Sequence, residues 1–181
     1  MRVFTAIKIP PDARKTIGDF VVVHSTQIRE LKWVKTENLH VTLKFMGERT
    51  EEEIGKIKEL IREVAGEFSG FHVTISGVDC FPDISKPRVL WAGVGEGAEI
   101  LKNLEKKLSE NVETPHFVPH VTIARMKHLR PDGYNKLKKL LLIDSNHGFG
   151  RFHADGISLF SSMLKPGGAV YEELFFAAFK K

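Results

Sequence analysis

One pattern occurs twice in this chain and constrains its fold more than any other feature. His40-Val41-Thr42-Leu43 returns as His120-Val121-Thr122-Ile123, about 80 positions later. Each copy lies in the same order of expected elements. The first round reads helix (12–29), His-bearing strand (39–46), helix (50–68) and two strands (71–81 and 88–94). The second reads helix (98–108), His-bearing strand (120–126), helix (132–143) and two strands (152–164 and 169–179), after an opening strand over 3–9. The helices show as apolar stripes. Ile54, Ile57, Leu60, Ile61, Val64 and Ala65 share one face, and Thr50 with Glu53 makes a capping box ahead of them. A repeat of this length is too long for a solenoid. It describes a duplication that builds two similar α+β lobes around a shared cleft, with hairpins favoured for the strand pairs.

The size and composition fit that reading. At 181 residues, one domain spanning 1–181 is the expectation. Apolar residues at 42% and charged residues at 28% argue for a globular chain and against a disordered one. Lys and Arg exceed Asp and Glu by 27 to 23, an excess that permits an anionic partner without requiring one. The single cysteine, Cys80, can form neither an internal disulfide nor a cysteine-based zinc site. It reads as buried filler. The opening MRVFTAIKIPPDAR is broken at Lys8 and Pro10, so it reads as a strand and not a signal peptide. No stretch approaches the roughly 20 apolar residues of a membrane helix. The expected location is cytoplasmic, without membrane attachment, and the expected form is a monomer.

The repeated motif carries chemistry. In a strand, residues i and i+2 share a face, about 6.6 Å apart. Each copy therefore sets an imidazole beside a hydroxyl, with its apolar residues turned to the core. Histidine exchanges protons near neutral pH, and a Thr hydroxyl donates to an anionic oxygen without adding charge. Two copies facing each other suit in-line displacement at phosphorus. One imidazole activates the nucleophile and the other protonates the leaving oxygen. No metal-ligand cluster or cofactor motif is evident, and the expectation is a reaction without either.

A third copy, His72-Val73-Thr74-Ile75, tests the reading. Phe71-His72 follows His40 at nearly the spacing at which Phe152-His153 follows His120. His72 and His153 are then counterparts of each other, and neither matches His40 or His120. His116 lies near His120 and is placed to shape its surroundings.

These residues resemble the two-histidine phosphoesterase superfamily, and within it the RNA 2′,3′-cyclic phosphodiesterases historically called 2′-5′ RNA ligases. The likeness runs from the opening Met1–Ile7 strand, through Asn38–Gly47 and Pro119–Arg125, to the closing Leu159–Ser162 and Gly168–Tyr171 hairpin. It implies a bilobal α+β fold with two antiparallel sheets lining a central cleft and helices outside. It implies opening of a terminal 2′,3′-cyclic phosphate on RNA to a 2′-phosphate, with 2′-5′ ligation as related chemistry. The partner is then an RNA end, of which tRNA fragments are one source. His40 is implied as proton donor and His120 as proton acceptor; the near-symmetric motifs alone do not choose. Thr42 and Thr122 accompany them.

Six further residues are candidates for holding substrate. Lys44 shares the face of His40 and Thr42 by the two-residue period. Arg125 falls on the opposite phase from His120, so a bulge or a strand end is required to turn it into the cleft. Trp33 and Phe45 are aromatics suited to stacking on a base, although packing is the plainer role for Phe45. Ser162 and Tyr171 sit on the closing hairpin. Two rivals stay open. One is a phosphodiesterase for other substrates, such as 2′,5′-linked oligonucleotides. The other is a non-catalytic RNA-end-binding module.

Overall fold

The computed structural model describes residues 1–109, 117–166 and 168–181. In chain order the elements are β1 (Arg2–Lys8), α1 (Pro11–Ser25), β2 (Lys32–Trp33), β3 (His40–Glu48), α2 (Glu51–Glu67), β4 (Phe71–Phe81) and β5 (Val89–Val94). Then come α3 (Ala98–Leu108), β6 (His120–Arg125), α4 (Pro131–Asp144), β7 (Gly148–Ala154), β8 (Gly156–Lys165) and β9 (Gly168–Ala178). A turn of 3₁₀ helix, Thr36–Asn38, leads into β3.

Local chemistry sets the helix limits. Thr50 Oγ1 accepts from the Glu53 amide at 3.3 Å, and the Glu53 carboxylate accepts from the Thr50 amide at 2.8 Å. This satisfies two orphan donors and starts α2 where the capping box is expected. Pro11 at the first helical position of α1 costs no hydrogen bond, since that amide has no partner in a helix. Leu101, Leu104 and Leu108 recur at helical spacing and are buried, so α3 is pinned along one stripe.

Two antiparallel four-stranded halves make up the sheet, β7-β4-β5-β6 and β3-β1-β8-β9. They join where β3 meets β6 at one residue pair, Val41 and Val121. The two expected sheets are thus one sheet, continuous through the motif strands. Beyond that pair β2 takes over the edge of β6, placing Trp33 opposite Ala124. Helix α1 packs on β7, α2 on β8 and β9, α3 on β3, and α4 on β4. One hydrophobic cluster runs through both halves, and Val41, Leu43, Val121 and Ile123 lie in it. No helix among the described residues is long and apolar enough to cross a membrane.

The strand expected over 152–164 is two strands. β7 ends at Ala154 in one half, and β8 begins at Gly156 in the other. Counting outward from the motif strands, β4 corresponds to β8 and β7 to β9. His72 and His153 are consequently cross-strand neighbours rather than counterparts, with ring centroids 5.2 Å apart. Cys80 is buried in β4, and burial pushes its thiol up to about 11, which keeps it neutral.

Candidate active site

The two motifs meet about a local dyad. Val41 and Val121 pair antiparallel, so one step along the register sets His40 toward Thr122 and Thr42 toward His120. The valines point into the core and are fully buried. By the two-residue period, the histidines and threonines point to the other face.

Each imidazole is locked in the same way. His40 Nδ1 lies 2.6 Å from the Asn38 carbonyl, and His120 Nδ1 lies 2.7 Å from the Val118 carbonyl. A carbonyl only accepts, so both rings carry their proton on Nδ1. The lone pair then sits on Nε2. For His40 that nitrogen accepts from the Thr42 hydroxyl at 2.9 Å. Asn38 is held in turn by its side-chain amide, which donates to Ala169 O at 2.9 Å on β9.

Aromatic rings floor both halves. His40 stands against Phe4 (5.0 Å) and Tyr171 (5.4 Å). His120 stands against Phe81 (5.0 Å) and Trp91 (6.0 Å). The Trp91 indole N–H is buried without a partner among the described residues. These walls decide the proton affinities. Burial pushes His40 down to about 4, opposed by its bond to the Asn38 carbonyl and reinforced by the charges of His120 and Arg125. Burial also lowers His120, opposed by the Val118 carbonyl and reinforced by Arg125. Burial raises the Tyr171 phenol, and Arg125 opposes it.

A bulge follows each threonine and rearranges the remaining candidates. In β1–β3 the register steps from Ala6↔Thr42 to Thr5↔Lys44. In β5–β6 it steps from Trp91↔Thr122 to Leu90↔Ala124. One skipped residue in each motif strand reverses the phase beyond it. Lys44 therefore leaves the histidine face. Its ammonium donates to Ser109 Oγ at 2.7 Å and to the Leu108 carbonyl at 3.5 Å, at the end of α3. Phe45 comes round instead, exposed and 5.9 Å from Phe4. Arg125 is the equivalent of Phe45, and the bulge turns it into the cleft, where its charge acts on His40, His120 and Tyr171.

Trp33 is likewise packed against the core and not presented to a base. Its strand partner Ala124 is turned into the core, and Trp33 follows, packing on the core and donating its indole N–H to Ile28 O at 3.1 Å. Ser162 and Tyr171 are cross-strand partners in β8–β9. Ser162 is two positions from Phe160, hence on the same face, and Phe160 stacks on Phe4 at 5.4 Å. His116 lies outside the described residues. Sequence reasoning missed Phe4, Phe81, Trp91 and Phe160. Trp91 stands opposite Thr122, but Phe4 pairs with Phe45 and Phe160, and Phe81 with Val89, so their place around the histidines shows only once the strand order is known. Among the described residues, no group of three or more His, Cys, Asp or Glu side chains is placed to hold a metal ion.

Two His-x-Thr strands meeting about a dyad, with both Nε2 atoms free of the backbone, define a phosphoesterase of the two-histidine class. The profile described as LigT like Phosphoesterase matches residues 7–91 and 95–171. The chain belongs to that family. An RNA 2′,3′-cyclic phosphodiesterase of Methanocaldococcus jannaschii is 34% identical over 176 residues, spanning 95% of this chain and 97% of that protein. One of Aquifex aeolicus is 36% identical over 149 residues, 77% of each chain. The crystal structure of TT0787 of Thermus thermophilus superposes with a TM-score of 0.83 at 29% identity, covering 99% of this chain and 98% of that one.

Proposed function

We propose that this protein opens the 2′,3′-cyclic phosphate at an RNA 3′ end to a 2′-phosphate by metal-independent acid–base catalysis. The observation that carries the reading is the matched pair of Nδ1-anchored imidazoles, which present two Nε2 atoms about a dyad. The names of the related proteins point the same way.

The reaction balances with two proton transfers. His120 Nε2 takes a proton from water as its oxygen attacks phosphorus. The bond to the 3′-oxygen breaks, and His40 Nε2 gives that oxygen its proton. The 2′-oxygen keeps the phosphate. A 5′-hydroxyl in place of water gives a 2′,5′ linkage, which is the ligation the family resemblance implies. In this reading Thr122 and Thr42 donate to the non-bridging oxygens, and Arg125 balances their negative charge.

The protein alone holds His40 at about 4, neutral at pH 7 and unable to act as an acid. The substrate supplies the missing charge. A monoanionic phosphate about 4 Å from the ring contributes roughly 4 kcal/mol at an effective dielectric constant near 20, or about 3 pKa units. That returns His40 to the neutral range. Protonation removes the Nε2 lone pair that accepts from Thr42, which frees the Thr42 hydroxyl proton for the phosphate and leaves the new Nε2–H for the 3′-oxygen.

The test is incubation of a short RNA bearing a terminal 2′,3′-cyclic phosphate, in EDTA, with identification of the product. A 2′-phosphate supports the proposal. A 3′-phosphate reverses the assignment of the leaving oxygen. Binding without turnover marks an RNA-end-binding module. Turnover only of 2′,5′-linked oligonucleotides marks the other-substrate reading.

A further inference from the structure

The two halves of the cleft differ beyond the histidines. In the β5–β6 register Gly93 stands opposite His120, and a Cβ there would lie 2.8 Å from the Ser76 carbonyl oxygen and 3.3 Å from the Trp91 ring. On the other side Lys8 stands opposite His40. A cavity of about 500 Å³ opens there, reaching from His40 and Tyr171 past Phe160 to Arg14 and His153. Its volume lies within the roughly 300–1,000 Å³ of small-molecule sites, and Phe4, Phe160 and Tyr171 give part of its wall an aromatic surface.

In-line displacement sets the attacking and leaving oxygens on opposite sides of phosphorus. If His120 handles the water and His40 the 3′-oxygen, the ribose bearing that oxygen must lie on the His40 side. The cavity is on that side. Two of its four charged side chains, Lys8 and Glu37, are compensated. The Lys8 ammonium sits 2.8 Å from the Glu173 carboxylate, and Glu37 lies 4.0 Å from Lys35. Asp155 adds a negative charge. Arg14 differs. Arg2, Arg49, Arg62, Arg130 and Arg151 each face a carboxylate; Arg14, like Arg29, Arg88 and Arg125, pairs with none among the described residues, and it is the arginine that lines this cavity. One guanidinium nitrogen donates to the Glu37 carbonyl at 3.2 Å, which anchors one edge of a five-donor fork and leaves the rest for an anion.

Resting on the proposed activity, we infer that this cavity receives the terminal nucleoside of the RNA and that Arg14, at its rim, binds the phosphodiester joining that nucleoside to the preceding one. The site therefore reads an RNA end of at least two nucleotides, through one charged contact that a cyclic mononucleotide cannot make.

The experiment compares adenosine 2′,3′-cyclic phosphate with an adenylyl dinucleotide ending in the same cyclic phosphate. Wild type, Arg14→Gln and Arg14→Lys are assayed for kcat/KM. Wild type should favour the dinucleotide by about tenfold, the usual scale of one charge-assisted contact. Arg14→Gln should bring the ratio of the two substrates to within about threefold of one, and Arg14→Lys should retain an intermediate preference. The ratio is read within each variant, so a general loss of folded enzyme does not move it. Equal rates for both substrates in wild type would remove the inference and leave the proposed activity standing, as would an unchanged ratio in Arg14→Gln. Turnover of neither substrate by wild type would remove both.

Discussion

Replacing His40 with Gln should flatten the pH dependence of stability in a window set by the burial of the imidazole. The ring titrates near 6.5 when unfolded and at about 4 in the folded cleft. Between those values the unfolded chain holds the proton and the native chain does not. Stability from this source is therefore complete above pH 6.5, falls as the pH drops toward 4, and is flat below that. Each unit is worth about 1.4 kcal/mol, so the limit is roughly 3 kcal/mol and the loss by pH 4.5 is about 2.5. Part of the ring still meets solvent, which brings the expected loss at pH 4.5 to about 2 kcal/mol. The assay is urea unfolding of wild type and His40→Gln at pH 7.5 and 4.5. Carboxylates common to both chains cancel in the difference. That difference should move by about 2 kcal/mol in favour of the variant at pH 4.5. A difference constant to within about 0.5 kcal/mol would refute the claim that the cleft suppresses protonation of His40.

Other outcomes follow from the same geometry. Arg125→Gln should lower kcat/KM on the cyclic-phosphate RNA by at least about tenfold, while Lys44→Gln, whose ammonium points to α3, should stay within about twofold. Equal effects would mean that the bulges do not set the faces as described. Thr50→Ala breaks the capping box and should cost about 1 kcal/mol, a fall of roughly 2–4 °C in Tm by thermal unfolding. Trp91→Phe removes an indole N–H that has no partner among the described residues, so it should change stability by less than about 1.5 kcal/mol in urea titration.

The sequence disclosed what depends on local order. Thr50 and Glu53 announced α2, and the leucines at 101, 104 and 108 announced α3, because caps and stripes are read within one helix. The motif pair was equally visible, since His, Thr and the intervening apolar residue follow strand alternation up to Thr42 and Thr122. Alternation then failed at Leu43 and Ile123. A bulge is fixed by the partner strand, and neither Leu nor Ile advertises one. Lys44 was therefore drawn toward the substrate, and Arg125 required a bulge that only the β5–β6 register reveals. The repeat also concealed a crossing. The strands at the end of each round pair with the other round's half, so Phe71-His72 and Phe152-His153 lie side by side. Such long-range pairing leaves no local mark, and the aromatic floor built from it was invisible for the same reason.

The central claim is that His40 and His120, and not the third motif histidine, move the protons. Its most direct measurement is single-turnover opening of a 2′,3′-cyclic-phosphate RNA by His40→Ala, His120→Ala and His72→Ala. His72 lies on β4, outside the pair that meets at Val41 and Val121. The first two variants should lose at least about a hundredfold in rate, on the scale of general acid–base catalysis, and the third should match wild type. Full activity in His40→Ala or His120→Ala would contradict the account, as would loss in a folded His72→Ala.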